Sequence, residues 1–376
     1  MKTCERISLA LLMAMAFVSV SVGQEGPSKD VGETVAKPRK PDGANADPDQ
    51  AKIPSKLSNK NKPDIPPDAA AFKIDTSVVN VDVAVLDNKG HFIPNIPKGN
   101  FRILEDNVPQ QISNFSKGEA PMTVCMVIEF SGRFRQYWVG PAWYQTLAAS
   151  YGFLETLKPD DYVAVVAYDL KSEILSDFST DKRKAYEAMQ RLRIPGFSES
   201  NLYDALVDTE DRMSGIEGRK AIVLIASGID TFSKLTFDKA RKAIQDGGVP
   251  IYAIGLMQSL RIMYDQYMGA MQRMDFLQAD NQMNTFAKET GGMAFFPRFY
   301  GEFPSIYQTI HQALRNQYSL GYAPTNTAKD GKFRKIKVEL VNPATNEPLR
   351  VVDEKGKPIK YSIVAKAGYK APREVE

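Results

Sequence analysis

Met122-Thr123-Val124-Cys125-Met126-Val127-Ile128-Glu129-Phe130-Ser131-Gly132-Arg133 is the stretch that decides the fold. Apolar residues run from Met122 to Phe130 with almost no interruption, where a strand with one wet face would alternate. A strand of this kind is buried on both faces, as in a parallel sheet covered by helices. The run then stops at small and charged residues, so its end is a loop.

Outward from this strand, the middle of the chain alternates strand and helix. Pro141 suits a first helical position and predicts a helix over 141–157. Residues 162–168 form a second buried strand, with 172–178 as an edge beside it. Helices are expected over 182–192 and 202–216, a third strand over 221–226, a helix over 236–245, a fourth strand over 249–255 and a short fifth over 293–296. The last helix carries Phe303, Ile306, Ile310, Ala313 and Leu314 on one face. The expected class is α/β, a doubly wound, mostly parallel, Rossmann-like sheet with helices on both sides. Such sheets bind ligands at the carboxyl ends of their strands. Functional residues are therefore expected just after Ile128, just after Ala226 and in the loop Ser198-Glu199-Ser200.

The two ends of this region read differently. Val79, Val81, Val83 and Val85 alternate with Asn80, Asp82 and Ala84, the period of a half-buried strand. Asp87-Asn88-Lys89-Gly90 and Glu105-Asp106-Asn107 are turns, with short strands at 101–104 and 111–115. Strands at 318–322, at Ile336, Val338 and Leu340, and at 361–365 repeat the style. The expectation is a small antiparallel β-rich unit made from both flanks, 71–118 pairing with 318–370, around an α/β domain at 119–317.

Before residue 71 the signals are of export. Lys2 and Arg6 precede an apolar run over 7–20, and Ser21 and Gly23 occupy the −3 and −1 positions of a cut before Gln24. Residues 1–23 read as a secretory signal peptide, its apolar run shorter than the ~20 residues that span a bilayer; an uncleaved anchor is the alternative. Residues 24–70, rich in Pro, Lys, Asp, Ala and Asn and empty of aromatics, cannot bury enough apolar area to offset the entropy of ordering, and read as a disordered linker. The mature chain is thus expected in the periplasm or outside the cell, with no membrane span after cleavage. Cys4 precedes the apolar run. Cys125, left alone after cleavage, cannot form an internal disulfide and reads as a buried core thiol.

The 48 Lys and Arg residues nearly balance the 45 Asp and Glu, for a net charge of +3 over 376 residues. This argues against a general nucleic-acid binder; the basic residues cluster only at Lys332, Arg334, Lys335 and Lys337. The two histidines, His91 and His311, are expected in solvent, so no Ser-His-Asp arrangement is available at the rim. Zinc spacings of Cys and His, a phosphate loop and a dinucleotide fingerprint are absent from the sequence. Asp160 and Asp161 read as solvated turn residues.

The three rim loops resemble those of the von Willebrand factor type A family. Glu129-Phe130-Ser131-Gly132-Arg133 is similar to its Asp-x-Ser-x-Ser motif. Ser200-Asn201-Leu202-Tyr203-Asp204-Ala205 is similar to its threonine loop, and Ala226-Ser227-Gly228 to its strand ending in Asp-Gly. The resemblance covers roughly residues 122–317, and the flanks look like those of a bacterial exported subgroup. It implies an α/β fold used for protein recognition, with a divalent cation held by oxygen ligands and completed by a partner's carboxylate. Position by position, this chain departs from that pattern. Glu129 replaces the first Asp, Ser131 is kept, Arg133 replaces the second Ser, Ser200 replaces the Thr and Ser227 replaces the second Asp. The set loses one carboxylate and gains a guanidinium, about two charge units against a metal. Like charges ~4 Å apart repel by roughly 4 kcal/mol at an intermediate dielectric, about a thousandfold in affinity.

The leading expectation is that Arg133 takes the place of the cation beside Glu129, making the rim a metal-free protein-binding, adhesion or scaffold module with no cofactor. Two alternatives stand beside it. Arg133 points to solvent over a relic rim, or a cation such as Mg²⁺ binds through Glu129, Ser131 and Ser200, with Asp204 or Asp230 recruited. A remote alternative is a hydrolase using Glu129 as base and Ser131 as nucleophile. Two further features are candidate contact surfaces or simple packing. One is the aromatic group Phe134, Tyr137, Trp138, Trp143 and Tyr144. The other is the segment 257–283, with Met263, Met268, Met271 and Met274 beside Tyr264, Tyr267 and Phe276.

Overall fold

The computed structural model describes residues 78–132, 143–192, 197–352 and 356–373, all within one unit, Asp49–Glu376. The signal peptide and linker expected at 1–70, and Arg133, Phe134, Tyr137 and Trp138, lie outside the described residues. Trp143 and Tyr144 open a helix, but their side chains are also outside the description.

In chain order the strands are β1 Val79–Asp87, β2 Phe101–Glu105, β3 Val108–Gln110, β4 Ile112–Glu119, β5 Met122–Glu129, β6 Tyr162–Tyr168, β7 Ser172–Ser179 and β8 Arg219–Ala226. They continue with β9 Ile251–Gly255, β10 Ala294–Phe295, β11 Asn316–Tyr322, β12 Phe333–Leu340, β13 Val351–Val352, β14 Pro358–Ile359, β15 Tyr361–Ala365 and β16 Gly368–Lys370. The helices are α1 Trp143–Glu155, α2 Lys182–Gln190, α3 Leu202–Ser214, α4 Phe237–Gly247, α5 Gln258–Tyr264, α6 Ala270–Thr290 and α7 Phe303–Arg315.

The central sheet has the order β10-β9-β8-β5-β6-β7. Its first five strands are parallel and β7 is antiparallel, so the sheet is mixed. All eight residues of β5 are buried. Alternation explains why. Val124, Met126 and Ile128 pack with Phe153 of α1 and Ile310 and Leu314 of α7. Cys125 and Val127 face the other way, onto Leu206 of α3, Ile244 of α4 and Phe286 of α6. Helices therefore cover both faces, and each fully buried aliphatic side chain contributes about 1.5–3 kcal/mol. The chain leaves β5 toward β6 on one side and returns through β8 on the other. The crevice at the carboxyl ends of β5 and β8 lies at that change of direction.

The flanks form two four-stranded antiparallel sheets, β15-β1-β11-β4 and β16-β12-β2-β3. Val81, Val83, Val85, Phe101, Ile103, Tyr318, Leu320 and Ile336 share one core between them. β1 departs from the half-buried pattern expected of it. Ala84 and Leu86 are also buried, because α7 lays Ile310 and Ala313 over that face. Arg334 departs from the expected basic cluster: it is buried and ion-paired with Asp330 at 2.9 Å, since alternation along β12 turns it inward.

Asp161 is the clearest departure. Expected in solvent, it is fully buried and ion-paired with the equally buried Arg315, the last residue of α7. Asp161 also accepts the N–H groups of Met122 at 3.1 Å and Lys158 at 2.8 Å. α7 passes into β11 without a loop, so Arg315 is carried under the sheet at the start of β5. His311, expected in solvent, is half-buried there, its Nε2 accepting from Arg315 Nε at 3.1 Å. His91 is exposed beside Asp87. Among the described residues no helix is long and apolar enough to cross a membrane.

Candidate functional site

β5, β6 and β8 end together. Glu129 is the last residue of β5 and the register partner of Tyr168, the last residue of β6; Ser227 follows the last residue of β8. The Glu129 carboxylate is wholly buried. Its Oε1 accepts the Ser131 hydroxyl at 2.7 Å, and its Oε2 accepts the Ser227 backbone N–H at 2.7 Å. The Ser227 hydroxyl is turned to its own loop, where it accepts the Ile229 N–H at 3.1 Å. Gly228 between them has φ +79°, and a Cβ there would fall 2.5 Å from Met283 Cε, so the turn requires glycine.

The third loop is tied in through its backbone. Ser200 N–H donates to Thr231 Oγ1 at 3.0 Å, and Ser200 C=O accepts from Thr231 and Phe232 N–H at 2.8 and 3.0 Å. Gly132 N–H donates to Phe197 C=O at 2.5 Å. Glu129, Ser131, Ser200 and Ser227 are thus all buried at one rim. The Ser200 hydroxyl and the Tyr168 phenol are also buried there, beside each other and the Glu129 carboxylate, neither making a well-formed hydrogen bond among the described residues. Burial, and then the Glu129 and Asp230 carboxylates, hold the Tyr168 phenol well above its usual range, so it is neutral. Tyr168 was not singled out from the sequence. Its signal was positional: it closes the strand beside Glu129.

Asp204 and Asp230 serve the loops themselves. Asp204 accepts Lys234 N–H at 2.9 Å and Leu235 N–H at 3.1 Å with its two oxygens. Asp230 accepts the Ser233 hydroxyl at 2.5 Å and Tyr203 N–H at 3.3 Å, and burial raises its pKa. Among the described residues no three His, Cys, Asp or Glu side chains gather as a metal-binding group.

The segment 257–283 divides by face. Phe276 and Met283 are buried, Tyr264 and Met268 pack partly against the core, and Met263, Tyr267, Met271 and Met274 are exposed, Met271 at 80%. Met263 lines an apolar pocket of about 310 Å³ with Leu256, Phe299, Tyr300 and Phe303.

No protein-family profile and no curated protein matches this chain. Among solved structures, the chain is similar to proximal thread matrix protein 1 from the mussel byssus, at 12% identity and TM-score 0.39, over 53% of this chain and 49% of that one. It therefore spans about half the length of that mussel protein. It is also similar to the vWF domain of the type V pili tip protein Mfa5 from Porphyromonas gingivalis, at 15% identity and TM-score 0.38, over 52% of this chain and 97% of that domain. A third is the conserved hypothetical protein BatB from Bacteroides thetaiotaomicron, at 10% identity and TM-score 0.37, over 52% and 98%. A von Willebrand factor type A domain is thus among the solved structures the chain matches.

Proposed function

We propose that this chain is an exported, non-enzymatic protein-recognition module, an adhesion or scaffold unit whose rim is closed by its own side chains rather than by a divalent cation. One observation carries the reading. The sole carboxylate at the family's ligand positions, Glu129, is buried and already accepts one hydrogen bond on each oxygen, from Ser131 and from the Ser227 amide. A hard cation asks for several oxygen ligands and more than one negative charge. Here the second acidic position is Ser227, and both oxygens of Asp204 are engaged by backbone N–H groups. The set does not fit such an ion.

The positive charge that a buried carboxylate calls for comes in this reading from Arg133, two residues beyond Ser131. A guanidinium presents several N–H donors in a plane, suited to Glu129 and to the hydroxyl oxygens of Ser200 and Tyr168. In this reading the rim is neutral and closed on itself, and Tyr137, Trp138 and Trp143, which follow it in sequence, are the candidate anchors for a partner. Catalysis is disfavoured because Glu129 and Ser131 are both fully buried, with no histidine beside them among the described residues.

A second reading, Mg²⁺-dependent binding through Glu129, Ser131 and Ser200, has one observation in its favour: the buried Ser200 hydroxyl makes no well-formed hydrogen bond among the described residues. Arg133→Ser separates the two. The first reading expects Mn²⁺ to bind the variant and not the parent, because the variant loses the built-in cation. Binding to the parent supports the second reading. Equal stability and no binding in either protein would leave Arg133 without a role at the rim and overturn the first.

A further inference from the structure

A groove of about 650 Å³ lies away from the rim, where the α/β unit meets the flanking sandwich. It exists because the chain changes sheets. β15 pairs with β1 in one sheet, and two residues later β16 pairs with β12 in the other, so β15 and β12 splay apart. Ile336 and Val338 of β12 and Ile363 of β15 line one wall, and Phe237 and Met293 the other.

Three strand edges end in this space. β10 pairs only with β9, and β15 only with β1. β16 covers β12 over Phe333–Lys335, Ile336 N–H donates to Ala367 C=O just beyond, and Leu349 N–H donates to Leu340 C=O at the far end, which leaves the Val338 backbone between them. Strand geometry has period two, so the Val338 N–H points to the same side as that of Ile336, past the end of β16. An exposed edge of this kind is a template for another strand.

The charge of the groove selects what that strand is. Arg241, Lys288, Lys337 and Lys366 line it against a single carboxylate, Glu289. Glu289 is taken by Arg241 and Lys337 is paired with Glu339, but Lys288 and Lys366 have no ion-pair partner among the described residues. Burial lowers the pKa of Lys366, more than the Asp82 carboxylate raises it, a cost that a bound anion would relieve further.

We propose that this groove binds an extended segment of a partner protein in which apolar and acidic residues alternate. The segment adds as a strand along the open edge of β15 and at Val338 of β12, apolar side chains inward and carboxylates on Lys288, Lys337 and Lys366. The proposal is independent of the rim.

The test uses the full mature chain and a fluorescein-labelled peptide, Thr-Val-Glu-Val-Glu-Val-Glu-Thr, followed by anisotropy. The expected result is saturable binding that weakens by at least about tenfold in K288E/K337E, two exposed positions whose exchange leaves the core intact, and weakens with added salt. Backbone N-methylation along one edge of the peptide abolishes binding while keeping its charge. No saturable binding would overturn the proposal, as would equal binding of the peptide with Lys in place of Glu, or indifference to the charge reversals or to N-methylation. Self-association of the chain that disappears in K288E/K337E, with no peptide bound, would give the groove to a second copy and overturn it as well.

Discussion

Asp161 and Arg315, 154 residues apart, hold opposite charges in the interior with almost no exposure. Desolvation makes such a pair a weak net stabiliser, but removing one partner leaves the other charge buried without its counter-ion. Asp161→Asn is expected to cost about 3–5 kcal/mol, read from chemical denaturation, and Asp161→Asn with Arg315→Met is expected to recover part of it. A double variant no better than the single would contradict the pairing. This contact was not legible in the sequence. Asp160-Asp161 before a strand has the composition of a turn, and nothing local says that the end of α7 will arrive beside it. Glu129 was legible, because a lone acid at the end of an apolar strand is placed by the strand itself. Tyr168 lay in the same class of position, but an aromatic closing a buried strand is also ordinary core.

At the scale of elements, periodicity served well where one neighbour decides the burial and poorly where two do. β5 read as apolar throughout and is buried throughout, because helices cover both its faces. β1 read as half-buried from Val79 to Val85, and its alternation fails from Ala84 on, where a distant helix covers the second face. The segment 257–283 carried both a packing and a contact reading; Phe276 and Met283 of α6 bear out the packing, while Met263, Tyr267, Met271 and Met274 are exposed. Gly291 shows how elements are joined. It ends α6 in the left-handed conformation, φ +82°, and a Cβ there would lie 2.3 Å from the Lys366 backbone nitrogen. Gly291→Ala is expected to cost about 1–2 kcal/mol from backbone strain alone, with the clash in addition. Hydrogen exchange should show the junction of α6 with the segment after β15 opening more readily than the rest. An unchanged denaturation midpoint would contradict the close approach.

For the whole molecule, one buried acid ties stability to pH. Glu210 of α3 accepts Val249 N–H at 2.7 Å on one oxygen, and its other oxygen has no hydrogen-bond partner among the described residues. Burial pushes its pKa from the ordinary 4.5 up to about 8, against the lowering effects of the Val249 N–H and Lys220. Between those values the folded protein keeps the proton and the unfolded chain has released it, so stability falls as pH rises, by about 1.4 kcal/mol per pH unit at most. The contribution is intact below pH 4.5 and lost by about pH 8. Glu210→Gln is expected to flatten the stability profile between about pH 5 and 8, read from urea midpoints; parallel profiles for the two proteins would contradict it. The layered architecture, helices on both faces of a mixed sheet and a sandwich from the two flanks, brings Glu129, Ser131, Ser200 and Ser227 to one rim, and the claim that this rim does without a cation rests on that gathering. Calorimetric titration of the chain from Gln24 onward with Mg²⁺ and Mn²⁺, with a chelator-treated control and thermal melts alongside, tests it most directly. The account predicts no heat of binding and no shift in melting. Saturable binding at micromolar to low millimolar cation, with a matching rise in melting temperature, would contradict it and restore a cation-bridged mode of recognition.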